Sequence, residues 1–228
     1  MRQALVVRGG WEGHSPTQAT ELFIPFLEAS GYAVRIEDSP EVYAKGEDLD
    51  VDLIVQCYTM GKASHEAVMG LRAAVAAGIG LTGWHGGIAD SFRESSDYLH
   101  LVGGQFATHP GKHPDEVHGD QSDYYLPHTI DVLPEAADHP IVAGLESFEL
   151  TTEQYWVLTD SLCDVLATTT HPAPDWHPWH RAVTCPAVWT RHWGAGRIAV
   201  VTPGHSVDVL QHPTVRTLVE RSMLWVSR

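Results

Sequence analysis

The chain has 228 residues, 43% of them hydrophobic, and this length is enough to bury a sizeable core within one domain. Only 14 Lys and Arg residues stand against 29 Asp and Glu residues, which gives a formal net charge of -15. A surface of this charge disfavours nucleic acid and anionic membranes as partners, because both require a basic face. We therefore expect a small-molecule ligand, and whether the chain forms a homo-oligomer stays open.

The amino terminus and the cysteines indicate a cytoplasmic protein. The first apolar run, within residues 4–9, is too short for the core of a signal peptide, and no stretch approaches the length that spans a bilayer. Cys57, Cys163 and Cys185 are odd in number and show no C-x-x-C spacing. Such cysteines are typical of reduced thiols in a protein core.

The first half of the chain alternates predicted strands with predicted helices. Apolar runs predict strands at 4–9, 32–37, 51–58 and 79–85, and amphipathic patterns predict helices at 16–31 and 64–78. The third and fourth strands are apolar throughout most of their length, so we expect them to be parallel neighbours in the sheet interior. Strands separated by helices of this length predict an α/β fold with a doubly wound, mostly parallel sheet.

The alternation of predicted strands and helices becomes less regular after residue 100. Residues 101–127 are rich in His, Gly and Asp and too long for a connecting loop, which predicts a functional insertion in a single domain spanning 1–228. Short strands are predicted at 128–133, 153–158 and 163–170, where they extend the sheet or cover it. Residues 185–205 predict a β-hairpin with Gly194 and Gly196 in its turn, and 212–226 predict a closing amphipathic helix. The apolar face of that helix contains Val215, Leu218, Val219, Met223 and Leu224.

Polar and aromatic residues follow four of the predicted strands. Ligands of open α/β sheets bind outside the carboxyl ends of the strands, where successive loops diverge. We therefore expect His14, His85 and His205 to meet in one pocket despite their separation in sequence. The aromatic faces of Trp11 and Trp84 beside this pocket suit the apolar faces of a sugar ring. The other residues at these strand ends are Glu12, Tyr58, Thr59 and Asp90.

His85 is the centre of the turn GWHGG (83–87), a G-x-H-x-G frame that follows an apolar run. In many α/β enzymes this frame holds a serine or cysteine nucleophile on a sharp turn between a strand and a helix. A histidine at this point is predicted to act as a base or as a metal ligand.

Several segments resemble the ThuA-like (trehalose utilisation) family. They are GWHGG (83–87), FATHP (106–110), HPIVAGLESFELTTEQYWVL (139–158), PAVWTRHWGAGRIAVVTPGH (186–205) and HPTVRTLVERSMLWV (212–226). The resemblance covers nearly the whole chain and implies a flavodoxin-like sheet, with the fold of class I glutamine amidotransferases. Active amidotransferases carry cysteine at the position that matches His85, so the missing thiolate excludes amidotransfer by that route.

The resemblance further implies a role in the use of trehalose and related disaccharides, including oxidised (keto) sugar derivatives. It also implies that His14, His85, Glu153, Tyr155 and His205 lie at or near the pocket. Glu153 and Tyr155 are two residues apart on a predicted strand and hence on one face of it. This pairing fits either a general acid with an orienting phenol or the polar face of an insertion.

Two further histidine pairs are interpreted as loop residues. His109 and His113 are spaced by four, but the Pro-Gly between them excludes the helical geometry of a zinc-binding pair. His177 and His180 lie in the Pro- and Trp-rich segment DWHPWH, where a solvated loop is the usual explanation.

Three function classes remain. The first is an enzyme (a hydrolase, lyase or isomerase) that acts on a sugar or keto sugar with His85 and Glu153 as catalytic acid and base. The second adds a divalent metal such as zinc, held by His14, His85 and His205. The third is a non-catalytic sugar-binding or assembly protein on an amidotransferase-like scaffold. The first class, with or without metal, is preferred. Its predicted substrate contacts are Trp11, Tyr58, Trp84 and Tyr155.

Overall fold

The computed structural model describes residues 1–228. The strands are β1 (Arg2–Gly10), β2 (Tyr32–Glu37), β3 (Leu53–Thr59), β4 (Gly80–Trp84), β5 (Gly104–Thr108), β6 (Tyr125–Val132), β7 (Phe148–Glu153), β8 (Trp156–Thr159), β9 (Asp164–His171), β10 (Val183–Trp193) and β11 (Gly196–Val201). The α-helices are α1 (Pro16–Glu21), α2 (Ile24–Ala29), α3 (His65–Ala76), α4 (Gly86–Ala89), α5 (Ser96–Val102), α6 (Val207–Gln211) and α7 (Pro213–Val226). None of these helices combines the length and the apolar character needed to cross a membrane.

Nine strands form one sheet in the order β2-β1-β3-β4-β11-β10-β9-β6-β7. The first five in this order pair in parallel, and the remaining four continue the sheet through antiparallel pairings. β5 and β8 form a separate antiparallel pair. The predicted α/β fold is confirmed, and β6 and β9, predicted at 128–133 and 163–170, extend the sheet. The strand predicted at 153–158 is β8, which pairs with β5 outside the main sheet, and β7 was not predicted.

β3 and β4 are parallel neighbours in the sheet interior, as their apolar runs predict. Side chains of these strands enter two hydrophobic cores on opposite faces: Leu53 and Val55 enter one, and Ile54 and Leu81 enter the other. Burying each such side chain contributes roughly 1.5–3 kcal/mol, which strongly favours a central position for both strands. The loops that follow β1, β3, β4 and β11 therefore meet at one edge of the sheet.

Two predicted helices differ from those observed. The helix predicted at 16–31 is divided into α1 and α2, because Pro25 at the start of α2 has no N–H to continue the hydrogen bonding of α1. Leu224, assigned to the apolar face of α7, is 42% exposed. Each residue advances 100° around a helix, and the buried stripe contains Ser222 and Val226 beside the predicted Met223.

The late hairpin is confirmed with a smaller turn. β10 and β11 pair as predicted, but Gly196 is opposite Trp193 as the first residue of β11, so the turn consists of Gly194 and Ala195. β11 ends at Val201, and His205 follows in the loop at its carboxyl end. The predicted insertion at 101–127 contains β5 together with two short 3-10 turns.

Candidate functional site

Four buried side chains converge at the carboxyl edge of the parallel strands. They are His14, His85, Glu153 and His205, and their potential ligand atoms all lie within 4.8 Å of one another. The three histidines follow β1, β4 and β11, whose parallel directions place their loops side by side. Glu153 reaches the same point from the end of β7. The structure thus brings together the three histidines that the strand-end reasoning groups, while their roles stay predictions.

The turn at His85 is strained. His85 has φ 48° and ψ -139°, in the region that favours glycine, and its N–H donates to the carbonyl of Val201 at 2.7 Å. Such a conformation costs on the order of 1–3 kcal/mol and is typical of functional sites. A Cβ on Gly86 would lie 2.6 Å from Cε1 of His14, and one on Gly87 would lie 2.8 Å from Cα of Cys57. The two glycines therefore let this turn approach β3 and the segment after β1 that carries His14.

Each imidazole is held through one nitrogen by a group outside the cluster. Nδ1 of His85 lies 2.8 Å from the carbonyl oxygen of Thr202, and Nδ1 of His14 lies 2.8 Å from Oγ1 of Thr59. Nε2 of His205 lies 3.0 Å from the hydroxyl of Tyr125. These contacts fix the rings. The nitrogens left to face the centre of the cluster are Nε2 of His85, Nε2 of His14 and Nδ1 of His205. Outer hydrogen bonds of this kind are typical of histidines that bind metals.

Two inner atoms of the cluster, Nε2 of His85 and Oε2 of Glu153, are acceptors placed against each other. The carbonyl of Thr202 can only accept, so Nδ1 of His85 carries the hydrogen and its neutral Nε2 presents a lone pair. That Nε2 lies 3.1 Å from Oε2 of Glu153. Nδ1 of His205 lies 3.2 Å from the same oxygen, yet it is buried and not aligned for a hydrogen bond.

The charge states are consistent with this picture. Burial, followed by the neighbouring His85 and His205, lowers the pKa of His14 to about 2. Burial also lowers the pKa of His85, although the Glu153 carboxylate opposes the shift. Burial alone would raise the pKa of Glu153, but the adjacent His205 and His85 lower it below its usual range. At neutral pH, His14 and His85 are therefore neutral imidazoles beside an ionised carboxylate.

This donor set fits a divalent transition metal. Imidazole nitrogen and carboxylate oxygen suit zinc and related ions. Ligand atoms bound tetrahedrally at about 2.0–2.1 Å from zinc are roughly 3.3 Å apart, close to the 3.1 and 3.2 Å separations around Glu153.

A cavity of about 200 Å³ opens onto the cluster. Glu153 and His14 lie in its wall, and the aromatic rings of Trp11, Phe106 and Tyr155 line it. The Tyr155 ring packs on that of His85, with 3.9 Å between the ring centres. Asp90 and Arg93, paired through two hydrogen bonds, add a charged pair to the same cavity. The combination of aromatic faces and polar groups suits a small polar ligand with apolar ring faces.

Two predicted substrate contacts need correction. Trp84 is 2% exposed and packs in the core against Phe23, 5.0 Å away between ring centres. Tyr58 packs against Phe92, with 5.9 Å between ring centres, and neither Tyr58 nor Trp84 lines the cavity at the cluster. Both rings belong to the packing around the strand ends. Trp11, by contrast, lines the cavity as predicted.

The strand argument for Glu153 and Tyr155 is also wrong. Glu153 is the last residue of β7, and Tyr155 lies in the short link before β8. Both side chains nevertheless line the cavity. Their common placement is produced by the link between two strands and not by alternation along one strand.

The site also contains a residue that the sequence interpretation placed in a loop. Nε2 of His109 lies 3.7 Å from Oε1 of Glu153, the carboxylate oxygen that does not face His85. The His109 ring lines the cavity and packs against Tyr124, with 4.3 Å between ring centres. The length of the 101–127 segment was the available signal, since loops this long are often functional. His180 is exposed, and His113 and His177 line a different cavity.

Comparisons with known proteins agree with this fold. The family model described as ThuA, trehalose utilisation, matches residues 3–226. A solved ThuA-like protein from Bacteroides uniformis aligns over 99% of this chain and 91% of its own, with a TM-score of 0.73 and 18% identity. A solved ThuA-like protein from Parabacteroides merdae aligns over 99% of this chain and 89% of its own, with a TM-score of 0.74 and 17% identity. A cytoplasmic protein from Salmonella typhimurium LT2 aligns over 99% of this chain and 100% of its own, with a TM-score of 0.64 and 11% identity. No curated protein matches the chain.

Proposed function

Because the chain belongs to the ThuA (trehalose utilisation) family, we propose that it is a metal-dependent enzyme of carbohydrate metabolism. Its substrate is a disaccharide or an oxidised (keto) sugar derivative, and its chemistry is acid–base catalysis as used by hydrolases, lyases and isomerases. A divalent ion such as zinc is held by His14, His85, Glu153 and His205. The carboxylate enlarges the set of three histidines that the sequence suggests.

The observation that carries the proposal is the contact between Nε2 of His85 and Oε2 of Glu153 at 3.1 Å. With the hydrogen of His85 committed to Thr202, a neutral ring and a carboxylate would repel each other through their lone pairs. Either a proton or a cation between them removes this repulsion. The burial of His85 disfavours the protonated ring, and the unpartnered Nδ1 of His205 beside the same oxygen adds a third ligand for a cation.

A divalent metal supplies Lewis-acid chemistry, since it polarises a carbonyl and lowers the pKa of bound water. The chain supplies the rest of the site. The rings of Trp11, Phe106 and Tyr155 hold the apolar faces of a sugar. His109 is the group in the cavity best placed to give or take a proton, because it lies outside the ligand set and 3.7 Å from Oε1 of Glu153.

The first test is the metal content of protein purified without a histidine tag. We expect about one divalent ion per chain. His85→Ala and His205→Ala should lose the ion, whereas His180→Ala, which removes an exposed loop histidine, should retain it. Circular dichroism checks that each variant is folded.

The second test is turnover of trehalose, related disaccharides and their keto derivatives. Removal of the metal should abolish activity, and its return should restore it. Full turnover by a folded His85→Ala variant would refute the proposal. Saturable sugar binding with neither metal nor turnover would instead identify a non-catalytic sugar-binding protein.

A further inference from the structure

A second cavity, of about 450 Å³, lies beside the link between β7 and β8. Glu153 and Tyr155 face the first cavity, whereas Gln154 between them faces the second. The segments 110–116 and 172–179 provide most of the remaining wall. The link therefore separates the second cavity from the histidine cluster, and a ligand bound there is out of reach of the cluster. The volume lies within the range of small-molecule sites.

Tryptophans form one side of this cavity. Nε1 of Trp179 donates to the carbonyl of Pro172 at 2.8 Å, and its ring stacks on that of His177 with 4.1 Å between centres. These contacts hold the Trp179 indole in place. Trp176 is 46% exposed, and its ring meets that of His113 edge to face at 4.8 Å. A half-exposed indole at a concave surface offers a flat apolar face to a ligand.

Hydrogen-bond acceptors lie on the inner side. His171 is fully buried, and its Nε2 lies 3.2 Å from the carbonyl of Tyr155, so Nε2 carries the hydrogen. Its Nδ1 is then an acceptor, and no protein group is bonded to it. The amide NH2 of Gln154 is committed to Thr169 at 2.7 Å and to the carbonyl of Thr170 at 3.1 Å, which leaves the amide oxygen to accept. A matching ligand must therefore supply donors.

We propose that this cavity is a second carbohydrate site, which binds a neutral sugar without converting it. A hydroxyl group would donate to the amide oxygen of Gln154, and the carbon-bound hydrogens of the ring would pack on Trp176 and Trp179. Lys112 and Glu116 both line the cavity, so their charges balance, and the acceptor oxygen of Gln154 favours a ligand that donates hydrogen bonds. The choice of sugar as the ligand class rests on the proposed function, whereas the site itself does not depend on the metal.

The test is a calorimetric titration of the metal-depleted protein with trehalose. Trp176→Ala should weaken binding roughly tenfold, the equivalent of about 1.4 kcal/mol. Trp11→Ala reports on sugar bound in the first cavity, and Trp193→Ala, which removes a partly buried indole that lines neither cavity, is the matched control. Gln154→Leu, tested for folding by circular dichroism, should weaken binding as well. The metal content of Trp176→Ala should equal that of the wild type.

The outcomes separate this inference from the proposed function. Trehalose binding that depends on Trp176, in a protein that holds no metal and shows no turnover, would support the second site and overturn the enzyme. Binding that is insensitive to both Trp176→Ala and Gln154→Leu, or that is lost only in Trp11→Ala, would overturn the second site. An apolar dye that binds at Trp176 while trehalose does not would overturn it too.

Discussion

Replacing Tyr125 by phenylalanine tests whether the outer hydrogen bonds prepare the cluster for a metal. The change removes the hydroxyl that lies 3.0 Å from Nε2 of His205 and leaves the ring in place. That bond is one of three that orient the imidazoles, and the loss of such a partner typically costs 10–100-fold in metal affinity, or about 1.4–2.7 kcal/mol. The folded metal-free protein should lose only about 0.5–1.5 kcal/mol, the net value of one hydrogen bond.

Two measurements separate these effects. Competition with a chromogenic zinc chelator gives the affinity of the metal-depleted protein, and thermal unfolding with and without zinc gives the stabilisation by the metal. For a chain of this length, about 2–4 °C corresponds to 1 kcal/mol, so Tyr125→Phe should lower the metal-free melting temperature by on the order of 1–6 °C. Tyr124→Phe is the matched control, because Tyr124 packs on His109 and makes no contact with the cluster histidines through its hydroxyl. Zinc affinity in Tyr125→Phe equal to that of the wild type would refute the reasoning.

Three further predictions concern separate parts of the chain. His109→Gln should lower kcat by roughly 100-fold or more while the metal content stays unchanged, and unchanged kcat would exclude His109 from proton transfer. Gly87→Ala should destabilise the fold, because its Cβ would lie 2.8 Å from Cα of Cys57. Gly111→Ala should not destabilise the fold, because the added Cβ would make only ordinary van der Waals contacts. Equal melting temperatures for the two variants would contradict this prediction. Burial lowers the pKa of His171 from 6.5 to about 4, so its contribution to stability is complete above pH 6.5 and is lost as the pH falls towards 4. The free energy of unfolding, measured with urea across this pH range, should depend less on pH in His171→Gln than in the wild type. An equal pH dependence in both proteins would contradict the lowered pKa of His171.

The sequence predicts the sheet and the meeting of the three histidines because both depend on local patterns. A continuous apolar run identifies an interior strand wherever its partners lie, as in β3 and β4. The carboxyl ends of parallel strands share an edge, so His14, His85 and His205 could be grouped without knowledge of any contact.

The predictions that were wrong depend on the direction of a side chain and on the pairing of segments that are distant in sequence. Trp84 precedes His85 directly, yet its side chain points into the core, because it is the last residue of β4 and successive side chains of a strand point to opposite faces. His109 reaches Glu153 only because β5 pairs with β8, a contact between segments some fifty residues apart. No local spacing encodes that pairing, so sequence patterns alone do not place His109 beside Glu153.

The four residues of the cluster stand at positions 14, 85, 153 and 205, and no two of them are near each other along the chain. An unfolded chain therefore offers an incoming ion isolated imidazoles instead of a chelating group. The metal of the proposed function would therefore bind only after the sheet has assembled. The identity of that ion would depend on the ions available to the folded protein, since sites of this donor type bind several divalent metals. Refolding in the presence of chelator should accordingly proceed at the same rate as without it.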